Sequence, residues 1–205
     1  MSKPIDVRNQ AQYDVDQFSI GHFHESVLEG ILLPNGIIKD RVTKLAKEVA
    51  RKHSYHNLLA LCVMDGAQQF HSDLVKAMYP LMNRDLEPAS VKGTSYNGTE
   101  TLGYVEFNGF DFERAEGKNI LIVEDIIDTG LTLTALTKKM KKYNPKSIEI
   151  ACLLDKKERR DPKVTLKPDY TGFIIPDHFV VGYGLDFNSK YRLLPHISVL
   201  KQDSE

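Results

Sequence analysis

The chain alternates short apolar runs with stretches whose apolar residues recur every three or four positions. Val42, Leu45, Ala46, Val49 and Ala50 fall at i, i+3, i+4, i+7 and i+8, which makes one stripe on a helix. Leu33-Pro34-Asn35-Gly36 ahead of it reads as a turn. Asp40 suits the first turn of that helix, and Arg51 and Lys52 suit the last. Leu58 to Met64 is a continuous apolar run of strand length, as expected of a strand buried on both faces. Asp65-Gly66-Ala67 breaks it, and Phe70, Leu74, Ala77 and Met78 return at helical spacing. The same succession follows from Ile120 to Val123, with Leu133, Leu136 and Met140 marking the next helix. Lys138, Lys139, Lys141 and Lys142 crowd that helix's C-terminal end, and Pro145 stops it. Ser147 to Leu154 is a further apolar strand, and residues 173–175, 179–182 and 197–200 read as shorter ones.

Two stretches lack this clarity. Residues 1–30 are polar and weakly patterned, and His22-Phe23-His24 has a spacing that could suit a metal on a strand; with no third ligand evident, two surface histidines are expected. Between residues 83 and 118, Gly93, Gly98, Gly103, Gly109 and Gly117 are scattered through polar sequence. Leu102, Tyr104, Val105 and Phe107 suggest one short strand there, and Ser95-Tyr96-Asn97-Gly98 a loop or hairpin. Such a segment is either a lid or a plain surface hairpin.

Successive strand–helix units imply right-handed crossovers and a mostly parallel, twisted sheet with helices on both faces, an α/β fold. Ligands in such sheets bind beyond the carboxyl ends of the strands. That rule gathers Asp65-Gly66, Glu124-Asp125-Asp128, Asp155-Lys156 and Asp186 onto one rim.

Composition narrows the partners. The 205 residues suffice for one domain with a substantial core, and the 41% hydrophobic fraction is that of an ordinary globular chain. Lys plus Arg (27) nearly balance Asp plus Glu (28), so nothing global drives the chain to nucleic acid or an anionic membrane; any phosphate binding must be local. Cys62 and Cys152 sit in apolar runs and read as buried reduced thiols. No run approaches a membrane span of about 20 apolar residues, and no signal-peptide core opens the chain, so a cytoplasmic location is expected.

The densest chemistry lies in Asn119 to Thr132. An apolar strand ends in acids, and Asp128-Thr129-Gly130-Leu131-Thr132 opens a helix. N–H groups at a helix start lack intrahelical partners, the threonine hydroxyls add donors, and Gly130 permits close approach, which together suit a phosphate. Glu124 and Asp125 are hard oxygen ligands for Mg²⁺, directly or through water, or acceptors for sugar hydroxyls. Asp128 is placed to exchange a proton. An acidic strand end also occurs in P-loop ATPases, and glycine-rich turns in dinucleotide-binding folds. Neither G-x-x-x-x-G-K-[ST] nor a G-x-G-x-x-G after a strand is present.

Val123-Glu124-Asp125-Ile126-Ile127-Asp128-Thr129-Gly130 resembles the phosphoribosyl-diphosphate signature of the type I phosphoribosyltransferases, in the form found in their hypoxanthine-guanine branch. Leu32 to Arg41, Ser95-Tyr96, and Phe179-Val180-Val181-Gly182-Tyr183-Gly184-Leu185-Asp186 with Tyr191-Arg192 resemble further segments of that branch, in order. The resemblance implies that fold over residues 1–205 as one domain, with a small hood from the N- and C-terminal segments and a mobile loop at about 93–110. It implies transfer of a 5-phosphoribosyl group from phosphoribosyl diphosphate to N9 of hypoxanthine or guanine, with Mg²⁺ as cofactor, in a homodimer or homotetramer. A nucleotide-binding module without turnover and a xanthine-preferring enzyme stay open as alternatives.

Carried over by residue, the resemblance implies that Glu124 and Asp125 hold the ribose hydroxyls near Mg²⁺. Asp128 would handle the purine N7 proton, and residues 128–132 would bind the 5′-phosphate. Lys156 would donate to the 6-oxo group, Phe179 would stack on the base, and the Val180 carbonyl would meet its exocyclic side. Asp186 would flank the base and help hold a second Mg²⁺. Arg192, with the Asp65-Gly66 loop, would contact pyrophosphate, and Ser95-Tyr96 would close over the reaction. Three positions depart from the family pattern: Asp65 and Ala67 stand in Asp65-Gly66-Ala67 where Lys followed by two glycines is usual, and Leu131 replaces a frequent Lys. Met82 to Pro88 looks shortened.

Overall fold

The computed structural model describes residues 2–96 and 104–201. In chain order the elements are β1 (Ile5–Asp6), α1 (His22–Glu25), β2 (Leu28–Leu33), α2 (Asn35–His53), β3 (Leu58–Met64), α3 (Gln68–Met78) and β4 (Leu86–Tyr96). There follow β5 (Tyr104–Asn108), β6 (Asn119–Ile127), α4 (Leu131–Lys141), β7 (Ser147–Asp155), β8 (Tyr170–Ile174), β9 (Val180–Val181) and β10 (Ile197–Leu200). The main sheet has seven strands in the order β1-β8-β7-β6-β3-β4-β5. All its pairs are parallel except β4 with β5. The smaller sheet, β2-β10-β9, is antiparallel and joins strands from the two ends of the chain.

The apolar runs behave as strands buried on both faces should. Leu58, Ala60, Leu121, Val123, Ala151 and Leu153 pack with Val42, Leu45 and Val49 of α2 and Phe70, Leu74 and Met78 of α3. Their immediate neighbours Leu59, Leu61, Ile120, Ile122, Ile150 and Cys152 face the other way, onto Leu133, Leu136 and Met140 of α4. Each such buried side chain contributes roughly 1.5–3 kcal/mol of transfer free energy. The order of strand addition across the sheet reverses between the parallel neighbours β3, whose helix α3 leads outward to β4, and β6, whose helix α4 leads the other way to β7. β3 pairs with β6 only as far as Cys62 and Val123, so Glu124 and Asp125 lie where the two strands part. A switch of this kind leaves a crevice at the carboxyl ends of the strands.

Several local expectations change. Asn35-Gly36 is the first turn of α2 and not a separate turn: Pro34 caps the helix, and the Asn35 N–H finds His196 Nδ1 at 2.9 Å. Asp40 therefore falls beyond the first turn. His22 and His24 lie on a helical turn, where His22 pairs with Glu25, and no group of three or more candidate metal ligands exists among the described residues. β2 emerges from the stretch read as weakly patterned; all but Glu29 are buried. β4 was not expected, because Pro88 lies inside it. β5 covers only Lys92 to Tyr96, so the Pro88 half of β4 is an open edge, where a missing N–H is tolerated. Ser95 and Tyr96 end β4 and pair antiparallel with Val105 and Tyr104 of β5, the hairpin of the two alternatives, and Asn97, Gly98 and Leu102 lie outside the described residues. β6 runs on through Ile127, so its acids sit within the strand. Within the basic tract 156–160, Lys156 is buried and Arg160 pairs with Asp155, while Lys157 to Arg159 are exposed. Among the described residues no helix is long and apolar enough to cross a membrane.

Opposite the crevice, at the start of β7, Glu149 is buried with three donors around it. Lys52 Nζ lies at 2.7 Å, Tyr170 OH at 2.8 Å and His53 Nε2 at 3.1 Å. Burial alone would raise this carboxyl's pKa; the hydrogen bonds from Lys52, Tyr170 and His53 outweigh it and leave it below its ordinary value. A depressed folded-state pKa stabilises above the unfolded value near 4.5, and that stability is lost as pH falls through the folded value. Glu149→Gln is therefore expected to destabilise the protein by about 2–3 kcal/mol at neutral pH. In urea titrations the deficit should shrink toward pH 4; a deficit independent of pH would contradict an ionised, paired Glu149.

Candidate active site

Asp128 follows β6 directly and is the hinge of the site. It lines two cavities. One, of 230 Å³, is bounded by Met64, Gly93, Glu124, Asp128, Thr129, Gly130 and Thr132. The other, of 360 Å³, is bounded by Asp128, Lys156, Arg159, Asp177, Phe179 and Phe187. The first is polar and lies at the start of α4. The second has aromatic walls and a buried ammonium.

The helix start owes its shape to Gly130, whose φ of +81° is left-handed. A β-carbon there would also fall 2.7 Å from Arg160 Nη1. Thr134 N–H and Oγ1 both donate to the Gly130 carbonyl, the first bond of the helix, so the N–H groups ahead of Thr134 have no partner within the helix, and the Leu131 N–H donates to Thr129 Oγ1. Leu131 is exposed and adds no charge. A phosphate here would meet dipoles and hydroxyls, with Arg160 beneath them.

Glu124 and Asp125 are buried side by side. The Asp125 N–H donates to Glu124 Oε1 at 3.2 Å, and the Ile126 N–H to Asp125 Oδ1 at 2.9 Å. Burial, then the neighbouring Asp125 charge, raises the Glu124 pKa well above its ordinary 4.5. Burial also raises Asp125, against which the more distant Arg192 charge acts. The same burial, with Glu124 and Asp125 nearby, pushes the Cys62 thiol up to about 12. Cys62 and Cys152 are both buried and free, as expected. Gly66 packs on Asp125: a β-carbon there would fall 1.9 Å from its Oδ2. Gly184, with φ of +106°, packs in turn on the Gly66 carbonyl, 2.2 Å from where a β-carbon would stand.

Arg192 donates to the Gly184 carbonyl at 2.6 Å and pairs with Asp186 at 2.8 Å. Asp186 also accepts the Ser189 N–H at 2.7 Å. Asp65 is half exposed and paired with Lys92 of β4 at 2.8 Å. In the aromatic cavity Lys156 Nζ lies 3.5 Å from Asp177, and Arg159 Nε donates to Asp128 Oδ1 at 3.2 Å. Phe179 is half exposed and meets Phe187 edge-on at 5.3 Å. Val180 is buried in β9. The side chains of Ser95 and Tyr96, and residues 97–103, lie outside the described residues.

The structure thus brings together Asp65, Gly66, Glu124, Asp125, Asp128, Thr129, Gly130, Thr132, Lys156, Phe179, Asp186 and Arg192 around one crevice. It adds Lys92, Arg159, Arg160 and Asp177, none of which the sequence singled out. Each is a charged residue in polar sequence, distinguished only by its partner across the crevice.

The chain belongs to the phosphoribosyl transferase domain family, whose pattern matches residues 30–188. It is 40% identical over 197 residues to the hypoxanthine-guanine phosphoribosyltransferase of Homo sapiens, covering 93% of this chain and 89% of that one. A hypoxanthine phosphoribosyltransferase from Staphylococcus aureus superposes with a TM-score of 0.81 at 33% identity, over 90% of this chain and 98% of that one. The hypoxanthine phosphoribosyl transferase of Trypanosoma cruzi, studied for the role of its C-terminal region in oligomeric state and activity, superposes at 0.77 with 32% identity, over 86% and 93% of the two chains.

A carboxyl whose folded-state pKa is raised stabilises most in acid and loses that contribution as pH rises through the folded value. Glu124→Gln keeps the Oε1 acceptor for the Asp125 N–H and removes the charge. It is expected to raise Tm by about 2–4 °C at pH 8, the scale of about 1 kcal/mol in a chain this size. The gain should be smaller at pH 5. A variant that melts no higher than the parent at pH 8 would show that Glu124 is not destabilising there.

Proposed function

We propose that the protein transfers the 5-phosphoribosyl group of phosphoribosyl diphosphate to N9 of hypoxanthine or guanine, yielding IMP or GMP and pyrophosphate in purine salvage. The observation that carries this reading is Asp128, one carboxylate shared by a phosphate-suited cavity and an aromatic pocket with a buried lysine. The 5′-phosphate sits on residues 128–132, and the ribose hydroxyls meet Glu124 and Asp125. The base enters between Phe179 and the Lys156 ammonium, beside the Val180 carbonyl and Asp186. Lys156 favours a 6-oxo acceptor, because a 6-amino group would leave the ammonium facing a donor.

As N9 of the base forms its bond to the anomeric carbon, the bond to pyrophosphate breaks and its electrons leave with that oxygen. Asp128 takes the proton that N7 gives up. Arg159 holds one Asp128 oxygen in the free protein and so orients the carboxylate. The Gly66 backbone and Arg192 receive the departing anion, beside Asp65. Ser95 and Tyr96, at the end of β4, would close over the reaction and keep water from the positive centre. The small sheet of β2, β9 and β10 forms the hood.

Mg²⁺ fits this donor set, because Glu124 and Asp125 are buried hard-oxygen acids whose mutual repulsion a cation relieves. Asp186 could hold a second ion only by giving up Arg192. When bound, the metal neutralises phosphate charge on substrate and leaving group. The buried free thiols suit a reducing cytoplasm. For the assembly we propose a homodimer or homotetramer.

Purified protein with Mg²⁺, phosphoribosyl diphosphate and hypoxanthine or guanine should form IMP or GMP, with xanthine slower and adenine inert. Binding of phosphoribosyl diphosphate without turnover of any base would leave only a nucleotide-binding module. Asp128→Ala should lower kcat by about 100-fold or more, the usual scale of a proton-transfer group. Its affinity for IMP should fall less than tenfold. Comparable losses in both would remove Asp128 from proton handling.

A further inference from the structure

The pyrophosphate end of the crevice contains an unexpected charge. Asp65 follows β3 immediately, beside the Gly66 backbone that packs on Asp125. An acid there faces a leaving group that carries several negative charges. Bare, it would repel that group at short range, in a crevice that already holds Glu124 and Asp125.

The structure supplies the countercharge from another strand. Lys92 stands in register with Met64 on β4, and its Nζ lies 2.8 Å from Asp65 Oδ2. Gly93, the next residue, lines the phosphate cavity together with Met64, Glu124 and Thr129. The pair therefore sits at the rim of that cavity. Both side chains are about half exposed, at 42% for Asp65 and 58% for Lys92. An exposed pair of this kind adds little to folding stability. Its effect on an incoming polyanion is larger, because it sets the sign of the field at the rim.

We propose that Lys92 is a positioning residue for the pyrophosphate group: it cancels the Asp65 charge and presents its remaining N–H donors to the anion. This rests on the phosphoribosyl-transfer reading for the ligand's identity. Lys92 also lies near the base of the β4–β5 hairpin, three residues before Ser95. The loop after β3 and the base of the hairpin are thus tied by one ion pair.

The test is a charge cycle in the full-length protein, with Lys92→Met, Asp65→Asn and the double variant. Steady-state turnover gives KM for phosphoribosyl diphosphate and for hypoxanthine. Titration calorimetry with inorganic pyrophosphate and Mg²⁺ gives affinity without turnover. Lys92→Met should raise the phosphoribosyl diphosphate KM and the pyrophosphate Kd about five- to tenfold, as one uncompensated charge at the rim would. The hypoxanthine KM should stay within about twofold, and the defect should shrink at high ionic strength. Asp65→Asn should tighten pyrophosphate by freeing Lys92. The double variant should recover most of what Lys92→Met loses, which a merely structural lysine would not allow. The inference is overturned if Lys92→Met binds pyrophosphate like the parent, or if the double variant is no better than Lys92→Met. Failure of the parent to form nucleotide would instead reject the enzyme reading, and the pyrophosphate titrations would still decide the role of Lys92.

Discussion

The buried pair Glu124–Asp125 is the constraint on which the rest of the site depends. Two like charges stand side by side in the central strand of the sheet, and burial raises both carboxyl pKa values. Neither carboxylate has an ion-pair partner among the described residues. Elsewhere the fold treats buried acids differently: Glu149 receives three donors, and Asp155 receives Arg160. Among the described residues the pair is the one place in the sheet where two buried acids are left to repel each other, and hydroxyl donors or a cation would relieve that repulsion.

The backbone around the pair is shaped to let that partner in. β3 leaves β6 after Cys62, which opens a crevice beside Asp125. Only glycine fits at Gly66 against the Asp125 carboxylate, and only glycine fits at Gly184 against the Gly66 carbonyl. This stack brings Arg192 and Asp186, from the far end of the chain, to the same crevice. Asp128 then divides the space into a helix-start side and an aromatic side. The two sides differ in kind. Helix-start dipoles suit an anion without fixed charge, whereas the other side combines aromatic surface with the buried Lys156.

Most of this fold was legible in the sequence because its strands are buried on both faces. The runs 58–64, 120–123 and 150–154 carry an unbroken apolar signal, and the helices between them carry a clean stripe. β4 and β2 escaped because their signals are masked. Pro88 argues against a strand in any single-segment reading, and it is tolerated only because β5 stops short of it. β2 is short and finds its partner β10 at the other end of the chain. The extent of β6 was also hidden: acids do not look like strand residues, and only the parting of β3 makes room for them. Glu124, Asp125, Asp128 and the residues through Thr132 could be found because they are contiguous. Lys92, Arg159 and Asp177 could not, since each acquires meaning from a residue distant in sequence.

Asp65 illustrates what a motif alone misreads. Taken by itself, an acid beside the leaving-group loop argues for weakened binding or for a protein that only senses nucleotides. Taken with Lys92, it is half of a neutral pair, and the local charge is the same as if neither residue were there. What differs is the source of the cation, which now comes from β4, beside the start of the hairpin, and not from the loop after β3. A cation held by a neighbouring carboxylate is also held in place, so its donors meet an anion at a defined position. The departure at position 65 is therefore consistent with an intact leaving-group site.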